Sequence, residues 1–321
     1  MKTTHPGTIV LLTCLTAGTA IAQPPGDFSD GKVSFAVKVR GEVTEYRVLA
    51  VSVLPEAALS IQVVRPAGGD KYEATGPDGK LQATGESSWE WQAPAAKGLY
   101  PLTIRSVVRG ETMRLNVFVI VPLSRVKDGS LNGYRIGAYP TVPLRGLKIY
   151  RPPRGFIEVT PDNIDTQVSP HFTLRQFLCK QAGDYPKYLI LRERLLLKLE
   201  LLLQQFNAAG YRAAGFQVMS GYRTPFYNRS IGNVKYSRHV YGGAADIFVD
   251  ENPTDGAMDD LNKDGKIDVY DAAVLYDLID GLYGKDSYER FVGGLGRYKK
   301  TASHPPFVHV DVRGFRARWG D

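Results

Sequence analysis

Cysteine is almost missing from this chain: 321 residues contain two, Cys14 and Cys179. Residues 1–22 read as a secretory signal, with Lys2 near the start, an apolar run from Ile9 to Ile21, and Ala20-Ile21-Ala22 as a small-x-small cleavage site before Gln23. Its removal leaves Cys179 as the single thiol. That excludes an internal disulfide and a multi-thiolate zinc site, so any metal has to be held by histidine and carboxylates. Long apolar runs are missing too. The run from Ile9 is shorter than the roughly 20 residues needed to cross a bilayer and is diluted by threonine, so stable membrane insertion is not expected. The formal charge of +7 favours polyanionic surroundings. No cluster of Lys and Arg interleaved with aromatics accompanies it, which argues against nucleic acid as a partner. With a secretory signal, the expected location is secreted or periplasmic, and the polyanion is a bacterial wall.

Histidine is also scarce, and residues 23–122 contain none. Those residues are instead a series of β-branched and aromatic runs, "KVSFAVKV", "EYRVLAVSVL", "LSIQVV", "YPLTIRSVV" and "RLNVFVIV", separated by turn clusters such as "RPAGGD" and "GPDGK". The pattern predicts an all-β, sandwich-like domain with no chemistry of its own, serving packing or placement. Residues 123–167 form a connector rich in Gly, Pro and Tyr. It is expected to be ordered, because Tyr134, Ile136, Tyr139, Ile149 and Tyr150 need somewhere to pack. "PKYLILRERLLLKLELLLQQFNAAG" then predicts a scaffold helix with Pro186 in its first turn and Gly210 as its stop. The expected fold class is α+β, with residues 168–321 forming a second domain of antiparallel sheet and helices.

Three short strand-like pieces in that domain carry the candidate chemistry. "FQVMSGYRTPFYN" ends a strand at Ser220-Gly221 and presents Tyr222, Arg223 and Asn228 at its exit. "SRHVYGGAADI" places His239 in a loop and Asp246 in a strand. "PFVHVDVRG" has period two, which puts Phe307, His309, Asp311 and Arg313 on one face. A carboxylate in a mostly apolar strand is costly unless paired or metal-bound. The small residues Gly242 to Ala245 let the chain fold His239 back toward Asp246. With His309 from a neighbouring strand this gives two His and one Asp, leaving a fourth tetrahedral position for water, the pattern of an open zinc site.

These motifs, following "SPHFTLRQF", resemble the zinc D-Ala-D-Ala carboxypeptidase and murein endopeptidase family, whose zinc core is shared with the hedgehog signalling domain. The resemblance covers residues 168–320 and rests on Ser-x-His-x-x-Gly-x-Ala-x-Asp plus a distant His. It implies that His239, Asp246 and His309 are zinc ligands and that Arg223 steadies the substrate carbonyl or its oxyanion. Tyr222 and Asn228 are the candidate substrate-binding neighbours on the same loop. Many members of the family carry a Glu three residues, or a His two residues, before the last ligand as general base; Pro306 and Phe307 stand there in this chain. The candidates left for that duty are Asp311, which could equally orient a metal-bound imidazole, and His304 in a Pro-bounded loop.

Between Asp246 and His309, "DLNKDGKIDVYD" sets Asp260, Asn262, Asp264, the Lys266 carbonyl, Asp268 and Asp271 at positions 1, 3, 5, 7, 9 and 12 of a calcium loop, with Gly265 at position 6. A structural calcium ion is therefore expected in an insertion at residues 251–285, resembling half of an EF-hand. The sequence as a whole predicts an exported zinc metallopeptidase acting on peptidoglycan stem peptides or cross-links, as an endopeptidase in preference to a D-Ala-D-Ala carboxypeptidase. The competing reading is a non-catalytic, zinc-stabilised wall-binding module.

Overall fold

The computed structural model describes Met1, residues 28–77 and residues 80–320. Apart from Met1, the expected secretory signal lies outside the described residues. Among them, nine strands occupy residues 32–119: β1 (Lys32–Val39), β2 (Glu42–Tyr46), β3 (Val48–Val53), β4 (Ala58–Arg65), β5 (Tyr72–Thr75), β6 (Lys80–Gly85), β7 (Ser88–Gln92), β8 (Gly98–Ser106) and β9 (Thr112–Val119). They form two sheets, in the orders β2-β1-β4-β7-β6 and β3-β9-β8-β5. β4 shows the underlying pattern: Leu59, Ile61 and Val63 are buried while Ala58, Ser60 and Gln62 are exposed. Phe35, Val37, Leu49, Trp91, Ile104 and Leu115, drawn from both sheets, share one apolar core.

Two details differ from the sequence expectation. "EYRVLAVSVL" is two strands, because Tyr46 pairs with Lys32 of β1 whereas Val48 pairs, in parallel, with Arg114 of β9. The chain changes sheet at Arg47. The predicted scaffold helix also begins later than Pro186. Lys187–Leu189 is a strand pairing with Gly155–Val159, and the helix, α1, runs from Glu193 to Ala208. Sheet pairing wins over the helical periodicity there because Tyr188 and Leu189 are fully buried in that pairing.

The helix α1 buries Leu195, Leu196, Leu197, Leu199, Leu202, Leu203 and Phe206, as expected for a helix covered on several sides. Arg194 bonds Glu42 at 2.7 Å and the Glu193 carboxylate accepts from the Ser52 amide at 3.2 Å, fastening β2 and β3 to the helix. The Arg290 guanidinium adds a bond to the Val43 carbonyl at 2.8 Å. A five-stranded sheet is formed by Gln217–Ser220, Ala244–Phe248, Phe307–Asp311, Gly294–Tyr298 and Ala317–Gly320, in that spatial order. Its pairs are antiparallel except the last, which is parallel. The short helix α2 (Pro225–Ser230) follows the first of these strands, and α3 (Val269–Asp280) packs on the sheet. The fold is α+β, with mostly antiparallel sheets and few helices.

A lysine is among the charged side chains buried in this assembly. Lys198 of α1 is fully buried, donates to the Asp311 carbonyl at 2.8 Å and lies 5.2 Å from the centre of the Tyr288 ring. Burial pulls its ammonium down to about 7. The folded chain therefore binds fewer protons than the unfolded chain between pH 7 and the ordinary lysine value of about 10.4, so stability rises with pH across that window. Below pH 7 the cost of the buried charge is present in full. Urea unfolding of wild type and Lys198→Met at pH 6, 8 and 10 is expected to show the stability difference shifting in favour of the lysine protein by at least about 1 kcal/mol as pH rises. A difference independent of pH would mean that the ammonium reaches water.

Candidate metal centre and its cleft

The register of the five-stranded sheet lines up one row of residues. Ser220 stands opposite Asp246, Asp246 opposite His309, His309 opposite Gly296, and Gly296 opposite Trp319. Directly opposed residues share a face, so both strand-borne candidates project to the same side. Gly296 has to be small: a Cβ there would meet Trp319 Nε1 at 2.5 Å. The third candidate arrives from a 3₁₀ turn, Arg238–Tyr241, closed by Gly242 at φ 63°. A side chain on Gly242 would also strike the Ile190 carbonyl at 2.3 Å, so glycine is required there on two counts. Ala244 and Ala245 belong to the strand, and the turn is made by Gly242 and Gly243 alone.

The three side chains converge. His239 Nε2 lies 3.2 Å from Asp246 Oδ1 and 3.1 Å from His309 Nδ1, and the last two atoms are 2.8 Å apart. Four-coordinate zinc, with bonds of about 2.0–2.2 Å, sets neighbouring ligand atoms about 3.3 Å apart, so the donor set and its spacing fit that ion. The outward ring nitrogens are held as well. His239 Nδ1 donates to the Gly221 carbonyl at 2.7 Å, and His309 Nε2 faces Asp311 Oδ2 at 3.3 Å, which fixes the nitrogen that each ring turns to the centre. Among the described residues this is the one group of three His, Cys, Asp or Glu whose ligand atoms all lie within 4.8 Å of one another.

Burial alone would raise the Asp246 carboxyl. The flanking His239 and His309 nevertheless hold it well below the usual carboxylate range, with Arg223 Nη2 on its second oxygen at 2.6 Å. Burial pushes His239 down against the pull of Asp246. His309 is raised despite burial, because it bonds two carboxylates. Arg223 Nε also donates to Ser220 Oγ at 2.8 Å, leaving Nη1 with no partner among the described residues.

The remaining sequence candidates occupy different places. Asp311 is fully buried behind His309, bonded to Arg313 Nε at 2.9 Å and to the amides of Gly294 and Arg313 at 2.8 and 3.0 Å. A Cβ on Gly294 would fall 2.3 Å from Asp311 Oδ2, so glycine makes room for this clamp. Arg313 and His309 hold the Asp311 carboxyl far below its usual range, although burial opposes them. These are the surroundings of a carboxylate that orients an imidazole, and they leave it no lone pair facing the cleft. His304 turns Nδ1 to the Pro305 carbonyl at 2.9 Å and packs edge-on against Phe307, outside the cleft lining.

Tyr222 and Asn228, the expected substrate-binding neighbours, are placed away from the cleft lining. Tyr222 is buried, with its hydroxyl 2.8 Å from that of Tyr139, and Asn228 is buried under its own loop, donating to the Val234 carbonyl at 2.9 Å. Neither lines the cleft.

In the expected calcium loop, the carboxylates are turned to backbone N–H groups. Asp260 accepts from Asp264 and Gly265, Asp264 accepts from Lys266, and Asp268 accepts from Tyr270. Asp271 is fully buried, accepting from Leu261 and from Asp268. Asn262 Oδ1 likewise accepts from the Asp264 amide. The loop thus lies outside the one convergent ligand group.

The centre opens into a cleft of about 640 Å³. Tyr298, Phe307, Arg313 and Trp319 of the sheet form one wall; Leu144 and Tyr150 of the connector, with Val234, Lys235 and Tyr236, form the other. Sequence reading missed the connector's part in the site. The available signal was its apolar residues: Tyr150 packs edge-on against Tyr236 and Tyr241 at 5.8 and 5.6 Å. Trp319, 5.1 Å from the His309 ring, was missed as well, because its place depends on the parallel pairing of the last strand.

Residues 170–265 match the family model Peptidase M15, a family of zinc-dependent peptidases. The matched stretch takes in Arg223, His239 and Asp246 and stops short of His309. No curated protein matches. Among solved structures, a nucleoside hydrolase-related hypothetical protein from Saccharophagus degradans aligns at 14% identity with a TM-score of 0.21, over 27% of this chain and 25% of its own. This chain therefore spans about a quarter of that protein, and so slight a likeness carries no argument.

Elemental analysis of the purified chain is expected to find about one zinc per molecule. His239→Ala and His309→Ala are each expected to lose the metal, and Asp311→Asn to weaken binding about tenfold or more by releasing the His309 ring. Full zinc occupancy in both alanine variants would place the metal elsewhere.

Proposed function

We propose that the chain is an exported zinc metallopeptidase that hydrolyses peptide bonds of peptidoglycan, and that it cleaves cross-links between stem peptides in preference to removing a terminal D-Ala. The observation that carries this reading is the convergence of His239, Asp246 and His309 at the floor of a cleft, beside Arg223, with two of the three ligands inside the stretch that matches the peptidase family. Zinc bound there supplies Lewis acidity and activates water for attack on an amide. The protein's own part is to fix the ligand nitrogens through Gly221 and Asp311 and to keep Asp246 ionised. Arg223 presents a guanidinium whose Nη1 is available to negative charge developing on the carbonyl oxygen. The aromatic walls hold the peptide and exclude water. The sandwich of β1–β9, fastened to α1, places the enzyme on an insoluble polymer, consistent with the basic charge of +7.

A specific observation favours the second reading, a zinc-stabilised wall-binding module. Apart from the metal ligands themselves, no carboxylate or imidazole lines the cleft to accept a proton. Purified muropeptides separate the two readings. The zinc-loaded protein is expected to convert cross-linked dimers to monomers and to act slowly on monomeric pentapeptide. Rapid loss of one D-Ala from the monomer with dimers intact would overturn the endopeptidase preference, and retention of both unchanged would favour the binding module.

Calcium at Asp260–Asp271 is a separate proposal, resting on the donor spacing. Calcium added to chelated protein, followed by restored zinc, is expected to raise the melting temperature of wild type more than that of Asp260→Ala/Asp264→Ala. Equal shifts would leave the loop as hydrogen-bonded turns.

A further inference from the structure

The cleft is lopsided in charge. Four cations line it, Arg223, Lys235, Arg238 and Arg313, against a single lining carboxylate, Asp246. Arg223 is engaged by Asp246 and Arg313 by Asp311. The other two have no carboxylate partner among the described residues.

Arg238 is the unusual one. It is 2% exposed and lies 5.1 and 5.3 Å from the ring centres of Tyr150 and Tyr241, beside that edge-on pair. Its Nη1 donates to the Ile149 carbonyl at 2.6 Å, but Nε and Nη2 have no hydrogen-bond partner. A buried guanidinium with unmet donors and no counter-ion is costly, and the two aromatic faces offset only part of that cost. Lys235 stands nearby on the exposed rim, its ammonium 5.7 Å from the centre of the Tyr236 ring. Between low-dielectric aromatic walls, these two charges, neither bonded to a carboxylate, focus a positive potential on the cleft.

We infer that the cleft selects an acidic peptide, with Lys235 as a specificity-determining residue that engages a free carboxylate flanking the cleaved amide, over the positive field of Arg238. The inference deepens the peptidase reading and rests on it. Nη1 of Arg223 is directed to the amide being cleaved; Lys235, on the wall made by residues 233–238, meets a different group of the substrate. A stem peptide whose carboxylates are free fits this cleft better than the same peptide with those groups converted to carboxamides.

The test uses the zinc-loaded full chain with two probes, a purified cross-linked muropeptide dimer and the same dimer amidated at its carboxylates by carbodiimide and ammonia. Wild type is expected to show a KM about three- to fivefold lower for the free acid, the size of a partly exposed charge pair. Raised salt is expected to narrow that gap. Lys235→Gln is expected to bring the acid-to-amide ratio close to one through KM, and Lys235→Glu to invert it, each with wild-type zinc content. Equal treatment of the two dimers by wild type, or the same loss on both with Lys235→Gln, would overturn the inference while leaving the peptidase reading in place. If neither dimer is cleaved, the peptidase reading fails, and calorimetric binding of the same pair to wild type and Lys235→Gln still decides whether the cleft prefers the acid.

Discussion

Keeping one carboxylate ionised inside a sheet is the constraint on which the rest of the site depends. Asp246 is buried in the second strand of a five-stranded sheet, where an unpaired charge is not sustainable. Each of its oxygens is met by groups brought from outside its own strand: His239 from the turn before it, His309 from the strand beside it and Arg223 from the loop on the other side. Those three contacts require a left-handed Gly242, a pairing that sets Asp246 opposite His309, and a Ser220 that holds Arg223 by its Nε. A one-residue slip in that pairing would turn His309 to the opposite face and disperse the cluster.

The support extends two layers deeper. Asp311 holds the outer nitrogen of His309 and is itself clamped by Arg313 of the cleft wall, and the Asp311 carbonyl accepts from the buried ammonium of Lys198. Lys198 belongs to the same helix whose first turn is bonded to Glu42 and the Ser52 amide of the sandwich. The all-β region and the strand that carries His309 are thus both bonded to α1, through Arg194 and, one turn later on the same face, Lys198. This gives physical content to a placing role for a region with no chemistry of its own: any load carried by β2 and β3 is borne by the helix that backs the Phe307–Asp311 strand.

What the sequence disclosed follows from the range of the interactions involved. The alternation in β4, the three metal-seeking side chains and the glycine turn are local patterns, and they were legible because period-two burial and close backbone approach leave a mark within a few residues. Features decided by distant partners were not. Pro186 looks like the start of a helix until Tyr188 and Leu189 are claimed by the Gly155–Val159 strand. The strands β5, β6 and β7 escaped the reading because β6 is exposed along most of its length and β7 turns only Trp89 and Trp91 inward. Tyr222 and Asn228 sit beside Arg223 in sequence, yet their side chains leave in other directions. Adjacency in a loop says little about which residues share a cleft.

The place where relatives of the resembled family carry their general base shows how this cleft differs. Phe307 occupies the position two residues before the last ligand, stacked on Tyr298 at 4.5 Å, with the His304 ring edge-on to it at 5.0 Å. An imidazole from His304 could enter the cleft only by displacing Phe307 from that stack and giving up its bond to the Pro305 carbonyl. Asp311 is closer to the metal centre, but it is spent on Arg313 and His309. Neither Pro306 nor Phe307 carries a group that accepts a proton or a negative charge. Arg238 and Lys235 on the facing wall form no ion pair with a carboxylate among the described residues. With Pro306 and Phe307 at these places, Asp246 is the one carboxylate among the residues that line the cleft.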